Sequence, residues 1–158
     1  MTFEPSKALV DRVVTLSRTF DAPRKIVFEA WTDPYYVARW WGPAGFTNPV
    51  CEWDARPGGA IRIEMRAPDG ERFPMRGEIR EIVSPEKLIF SSVVDDDQGN
   101  IVLEVLHTVT FVERESKTTV TVDSHVTKAM PEAAPMLDGM EEGWSQSLER
   151  LKGLISPA

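Results

Sequence analysis

The chain has 158 residues, 42% apolar and 27% charged, which is ordinary globular composition and not that of a disordered or collagen-like chain. Twenty-five acidic residues against 18 basic ones give a net charge of -7. That balance argues against non-specific nucleic-acid binding, which needs clustered Lys and Arg.

Residues 1–9 read as a loose arm, followed by one domain over 10–158. The arm lacks a basic start followed by an apolar run, so no secretory signal is expected. No stretch approaches the ~18 apolar residues of a membrane span. Cys51 is the single cysteine, so no internal disulfide is expected, and it reads as a small buried hydrophobe rather than a nucleophile. A reduced, cytoplasmic protein is the expectation.

Val10 to Phe20 alternates, with Val10, Val14, Leu16 and Phe20 on one parity, which predicts a strand. Asp21 before Ala22-Pro23 reads as a helix N-cap and early-turn proline. Ile26, Val27, Ala30 and Trp31 then follow at helical spacing. Asp33-Pro34 repeats the start signal. Tyr36, Val37, Trp40 and Trp41 form the apolar side of a second short helix, stopped by Gly42-Pro43. Strands follow over 46–54, 60–67, 72–83, 88–94, 101–112 and 118–127, with Arg56-Pro57-Gly58-Gly59 and Pro68-Asp69-Gly70 as turns. Seven strands joined mostly by short turns favour an antiparallel sheet. Pro131 opens a long amphipathic helix on which Met136, Met140, Trp144, Leu148, Leu151 and Ile155 repeat at three or four residues. Gly139 and Gly143, one turn apart, suggest close approach of another backbone.

The pattern is α+β: one strand, two short helices, six strands, one long helix. An antiparallel sheet with one apolar face needs a cover. The C-terminal helix supplies it, and the space between the two is the candidate site.

These motifs resemble a known family. Phe20-Asp21-Ala22-Pro23 and Val27-Phe28-Glu29-Ala30-Trp31-Thr32-Asp33-Pro34 are similar to the opening of the START/birch-pollen-allergen-like (SRPBCC) superfamily. Trp40-Trp41-Gly42-Pro43, Arg56-Pro57-Gly58-Gly59, Pro68-Asp69-Gly70, Gly77, Ser84-Pro85-Glu86-Lys87-Leu88, and Gly143-Trp144 with Leu148 and Leu151 fit one branch of it. That branch is similar to the activator of the ninety-kilodalton heat-shock protein ATPase. The resemblance runs from about Val10 to Ile155. It implies a helix-grip fold, a curved seven-stranded sheet wrapped around the long helix, with a cavity between them. It also implies an apolar ligand such as a lipid, sterol or polyketide, and in some members cyclisation or hydrolysis. The shared motifs are structural and carry over no catalytic set.

Hairpin geometry indicates which polar groups face inward. A two-residue turn at Glu115-Ser116 pairs Phe111 with Val120, Val109 with Val122, His107 with Ser124 and Val105 with Val126. The faces then separate into apolar and polar, as a one-sided sheet requires. In the preceding hairpin, a loop over 96–99 pairs Val94 with Ile101, Ser92 with Leu103, Phe90 with Val105 and Leu88 with His107. On the strand over 72–83 the inward parity carries Met75, Gly77, Ile79, Glu81 and Val83. The expected row is Glu81, Leu88, His107 and Ser124, and a His107–Glu81 pair is the candidate acid/base unit.

The candidate ligand-binding set is Trp31, Trp40, Trp41, Trp53, Met75, Ile79, Phe90, Ser92, His107, Ser124, Met136, Met140 and Trp144. No metal site is expected: Asp123 and His125 share a face without further ligands, and the acidic run Asp95-Asp96-Asp97 lacks calcium-loop spacing. No cofactor is expected. The expected function is binding of a small apolar ligand, with an enzyme of cyclase or hydrolase type and a co-chaperone or stress-response module as the alternatives. A chaperone partner and a homodimer remain open.

Overall fold

Residues 9–155 are described by the computed structural model. The expected arm lies outside them except for Leu9. Strand β1 (Val13–Phe20) is followed by helices α1 (Arg24–Thr32) and α2 (Pro34–Trp40). Strands β2 (Thr47–Trp53), β3 (Ala60–Arg66), β4 (Arg72–Val83), β5 (Lys87–Asp95), β6 (Ile101–Arg114) and β7 (Lys117–Ala129) come next. A 3-10 turn (Pro131–Ala133), a short helix α3 (Ala134–Asp138) and helix α4 (Met140–Ile155) complete the chain.

The sheet has seven strands in the order β1-β7-β6-β5-β4-β3-β2, and every neighbouring pair is antiparallel. The two helices after β1 carry the chain to the far edge of the sheet. The strands then return one by one until β7 meets β1. One face is apolar and covered by the helices. The other is polar, with hydroxyl pairs such as Ser17–Thr121 and Thr19–Thr119 across β1 and β7.

Several local details depart from the sequence pattern. β1 starts at Val13 rather than Val10, because Asp11 takes a φ of 72° and turns the chain. Pro23, not Asp21, is the N-cap of α1. Asp33 does cap α2, accepting from the backbone N–H of Tyr35. The expected single C-terminal helix is interrupted at Gly139, which ends α3 before α4 begins. No foreign backbone approaches either glycine: a Cβ at Gly139 would meet only the carbonyls of Pro135 and Met136, and one at Gly143 nothing.

The β6–β7 register is as expected, with His107 opposite Ser124. Glu115 and Ser116 take φ values of 51° and 65°, as a primed two-residue hairpin turn requires. The β5–β6 register differs from expectation: Phe90, not Leu88, lies opposite His107, and Leu88 lies opposite Val109. The cause is a register shift between Val94 and Asp95. Beyond it, the Asp96 carboxylate accepts the backbone N–H groups of Gln98 and Asn100 and widens the loop. The slip is by two residues, so each side chain keeps its face.

A second irregularity, between Ile79 and Glu81 of β4, adds one residue. One extra residue reverses the faces beyond it. Ile82 therefore takes the place opposite Leu88, and Glu81 is exposed and ion-paired with Lys87 at 3.1 Å. The expected row Glu81, Leu88, His107, Ser124 is not formed, and no His107–Glu81 pair exists.

Candidate functional site

Directly paired residues form rows across the covered face. One row runs Ile79, Phe90, His107, Ser124, Val14. The next runs Trp53, Ile61, Gly77, Ser92, Val105, Val126. Neither contains a charged residue. Phe90 therefore replaces Leu88 as the neighbour of His107, and the two rings stack at 4.7 Å between centroids.

His107 Nδ1 is 2.7 Å from Ser124 Oγ, and Nε2 is 2.8 Å from Ser92 Oγ on the diagonal. His107 is 3% exposed and Ser124 fully buried. Burial pushes the imidazole pKa down from 6.5 to about 3, because the charged form loses its water. The ring is neutral at physiological pH and offers one donor and one acceptor. So poor a proton acceptor suits hydrogen bonding rather than general-base work.

This polar trio lies between two apolar clusters. The larger joins Trp31, Trp40, Trp53, Phe90, Leu148 and others. The smaller joins Val102, Leu103, Val105, Val126, Ala129, Ala133 and Leu137. Met140, at the start of α4, packs against both.

Rings close a circuit over the trio. Trp41 meets Trp53 at 5.7 Å, Trp53 meets Phe90 at 5.1 Å, His107 meets Trp144 at 5.4 Å, and Trp144 returns to Trp41 at 5.4 Å. Trp53 and Phe90 sit on β2 and β5, with two strands between them. On β4, Gly77 stands in the row of Trp53, diagonal to Phe90, and carries no side chain between the rings.

Of the expected lining residues, Trp31, Trp40 and Ile79 are completely buried core. Trp40 is committed further, donating its Nε1–H to the carbonyl of Ala30. Met136 is 45% exposed on α3 and does not join the group. Trp41, Met75, Ser92 and Met140 remain half-buried. Ser92 lies on a central strand and on the covered face, so its partial exposure marks an opening in the cover. Three buried polar atoms have no hydrogen-bond partner among the described residues: Trp31 Nε1, Trp53 Nε1 and Asn48 Oδ1. Such groups ordinarily find partners.

The placement of Trp41 rests on a residue that the motif reading did not single out. Arg150 of α4 donates to the carbonyls of Trp41, Gly42 and Pro43 through Nη1, and to that of Arg39 through Nη2, all within 2.9–3.1 Å. Ser147 accepts the N–H of Gly42, and Gln146 accepts that of Ala44. Three residues of α4 at helical spacing thus hold the end of α2 and the loop after it. The available signal was the 146, 147, 150 spacing, which places these polar groups on the flank of the apolar stripe.

The other candidates are engaged elsewhere. Cys51 is half-buried and burial pushes its thiol up to about 11. Asp123 accepts from Thr15, and His125 Nε2 lies 2.8 Å from Asp11. Among the described residues no group of three or more His, Cys, Asp or Glu converges as a metal site. Among the same residues, no helix is long and apolar enough to cross a membrane.

The architecture recurs in known proteins. A protein of Chromobacterium violaceum is 28% identical, with a TM-score of 0.80 over 92% of this chain and 98% of that one. A Mycobacterium smegmatis protein is 27% identical, with a TM-score of 0.78 over 98% and 97%. An Arthrobacter aurescens protein is 26% identical, with a TM-score of 0.81 over 98% and 92%. No curated protein matches the sequence. The family model described as Activator of Hsp90 ATPase homolog 1-like protein matches residues 21–156, from the turn before α1 through the clamp on α4. With the fold agreeing over that span, the chain belongs to the Activator of Hsp90 ATPase homolog 1-like protein family.

Proposed function

We propose that the chain binds a small, largely apolar molecule between the covered face of the sheet and the start of α4. One observation carries this reading: a neutral Ser92–His107–Ser124 trio sits among aromatic rings and is open at Ser92. Ligand sites are typically apolar walls with a few placed polar groups. Met75 and Met140 add flexible side chains that adapt to varied shapes. Binding is favoured over catalysis because the imidazole is a weak base and the Glu81 carboxylate is directed elsewhere. Mass spectrometry of the natively purified protein is the direct test, followed by Trp fluorescence titration with lipids, aromatics and polyketides. A co-purified apolar molecule and a saturable fluorescence change are expected. An unliganded protein silent to the whole panel would contradict the reading.

A second reading, as a protein-interaction module, rests on a different surface. An open groove of about 410 Å³ is lined by Arg24, Val83, Glu86, Lys87, Val112 and neighbours. Val83 is 37% and Val112 52% exposed there. The family description points to Hsp90 as the partner to try. If stoichiometric addition of the chain leaves Hsp90 ATPase turnover unchanged, this reading fails.

A further inference from the structure

The hydrogen-bond directions within the trio follow from burial. Ser124 has no exposure, and His107 is the partner of its hydroxyl among the described residues. If Nδ1 carried the proton and donated it to Ser124, the hydroxyl proton of Ser124 would be buried without an acceptor, which is costly. Ser124 therefore donates to Nδ1. The neutral imidazole then carries its proton on Nε2, and this proton goes to Ser92 Oγ. Ser92 in turn keeps its own hydroxyl proton free, and it is the partly exposed member of the trio.

A second unpaired donor lies on the same row. Trp53 is 4% exposed and its Nε1–H has no partner among the described residues. Between Trp53 and Ser92 stand Ile61 and Gly77, an apolar side chain and none at all. Of the other two unpaired atoms, Trp31 Nε1 belongs to a completely buried ring on α1, outside the row, and Asn48 Oδ1 to a side chain already tied to the carbonyls of Ala38 and Trp41. The row thus presents donors without a charge to balance an anion.

We infer that the site selects ligands whose polar group is a neutral hydrogen-bond acceptor, a ketone-like carbonyl on an apolar or aromatic frame, received by Ser92 Oγ–H and Trp53 Nε1–H. This rests on the ligand-binding reading and narrows it. A carboxylate would be desolvated beside neutral donors with no cation in the row. An alcohol or amine would bring a donor to a row that already has two. A hydrocarbon would leave both donors unpaired.

The probes are acetophenone, ethylbenzene and benzoate, which share a one-ring frame and differ in the polar group. Binding is followed by NMR of the full chain through the Trp indole N–H signals. Acetophenone is expected to move the Trp53 indole proton downfield, with ethylbenzene leaving it unshifted and benzoate binding at least roughly tenfold more weakly than acetophenone. Ser92→Ala should weaken acetophenone by about fivefold to tenfold and leave ethylbenzene unchanged. Trp53→Phe should do the same, and if that variant misfolds, the wild-type indole shift and Ser92→Ala still decide. Equal loss of acetophenone and ethylbenzene in Ser92→Ala overturns the inference, as does benzoate binding as tightly as acetophenone. In either case ethylbenzene binding to the wild type leaves the ligand-binding reading standing. Failure of all three probes to bind also overturns the inference, and the ligand-binding reading is then decided by the native mass spectrum and the wider fluorescence panel.

Discussion

His107 Nδ1 lies 2.7 Å from Ser124 Oγ on the neighbouring strand, inside a sheet face where neither residue reaches water. Burial holds the imidazole neutral, and the contact with Ser124 fixes its proton on the opposite nitrogen. It also makes folding sensitive to acid. The folded pKa is about 3 against 6.5 for the free side chain. Between these values the unfolded chain binds the proton and the folded one does not, so stability rises with pH. The His107 contribution is complete above pH 6.5 and is lost as pH falls towards 3. The slope expected is up to about 1.4 kcal/mol per pH unit. Urea unfolding from pH 7 to 4 measures it. His107→Gln should flatten the profile relative to the wild type, and identical profiles would show that another group governs the acid response.

Arg150 is expected to be the most sensitive charged position. Its guanidinium is bound to four carbonyls at the end of α2 and in the following loop, and burial lowers its pKa. Hydrogen bonds from a charged donor contribute more than neutral ones, and the carbonyls left behind would lack a partner. Arg150→Ala should cost about 2–3 kcal/mol. Arg150→Lys should recover only part, since one ammonium cannot reproduce the planar fork. Because Trp41 hangs on this clamp, both variants should also change Trp fluorescence. A loss below about 0.5 kcal/mol would mean that the loop is held by packing alone.

Cys51 should be inert. Burial holds its thiol near 11, and the thiolate is the reactive form. Alkylation by iodoacetamide at pH 7.5 should be far slower for the folded chain than in denaturant. Equal rates in both states would mean that the thiol is freely solvated.

Much of this architecture can be read from the residues alone, because local patterns set it. With a two-residue turn at Glu115-Ser116 the polar and apolar faces of Thr108–Phe111 and Val120–Asp123 separate, and a one-residue slip would mix them, so this turn yields the observed β6–β7 register and the His107–Ser124 pair. The two short helices are bounded by Asp33-Pro34 and Gly42-Pro43. What escapes are single-residue events. One extra residue after Ile79 turns Glu81 from the covered face to solvent. The wide loop held by Asp96 moves Phe90, in place of Leu88, opposite His107. Both depend on backbone geometry that leaves no periodic trace. Tertiary contacts are equally silent in the sequence. Trp40 and Trp41 are adjacent, yet one is sealed in the core and the other reaches the site because Arg150 holds the loop.

Two glycines are expected to respond to alanine with opposite signs. At Gly77 an added Cβ would overlap the carbonyl oxygen of Ser91 on the paired strand. A backbone atom in a sheet ladder cannot step aside as a flexible side chain can, so β4 and β5 would have to separate. Gly77→Ala should therefore cost at least about 3 kcal/mol, at or beyond the upper end of ordinary overpacking. It should also disturb Ser92, which pairs with Gly77 and touches His107. Gly143 lies inside α4 with nothing near an added Cβ. There alanine only restricts the unfolded chain and restores helix propensity, and Gly143→Ala should stabilise by about 0.5–1 kcal/mol. Thermal and urea unfolding of the two variants separate these effects. If Gly77→Ala lay within about 1 kcal/mol of the wild type, the sheet would have room to relax at this position. Gly77 would then be replaceable on the floor of the site.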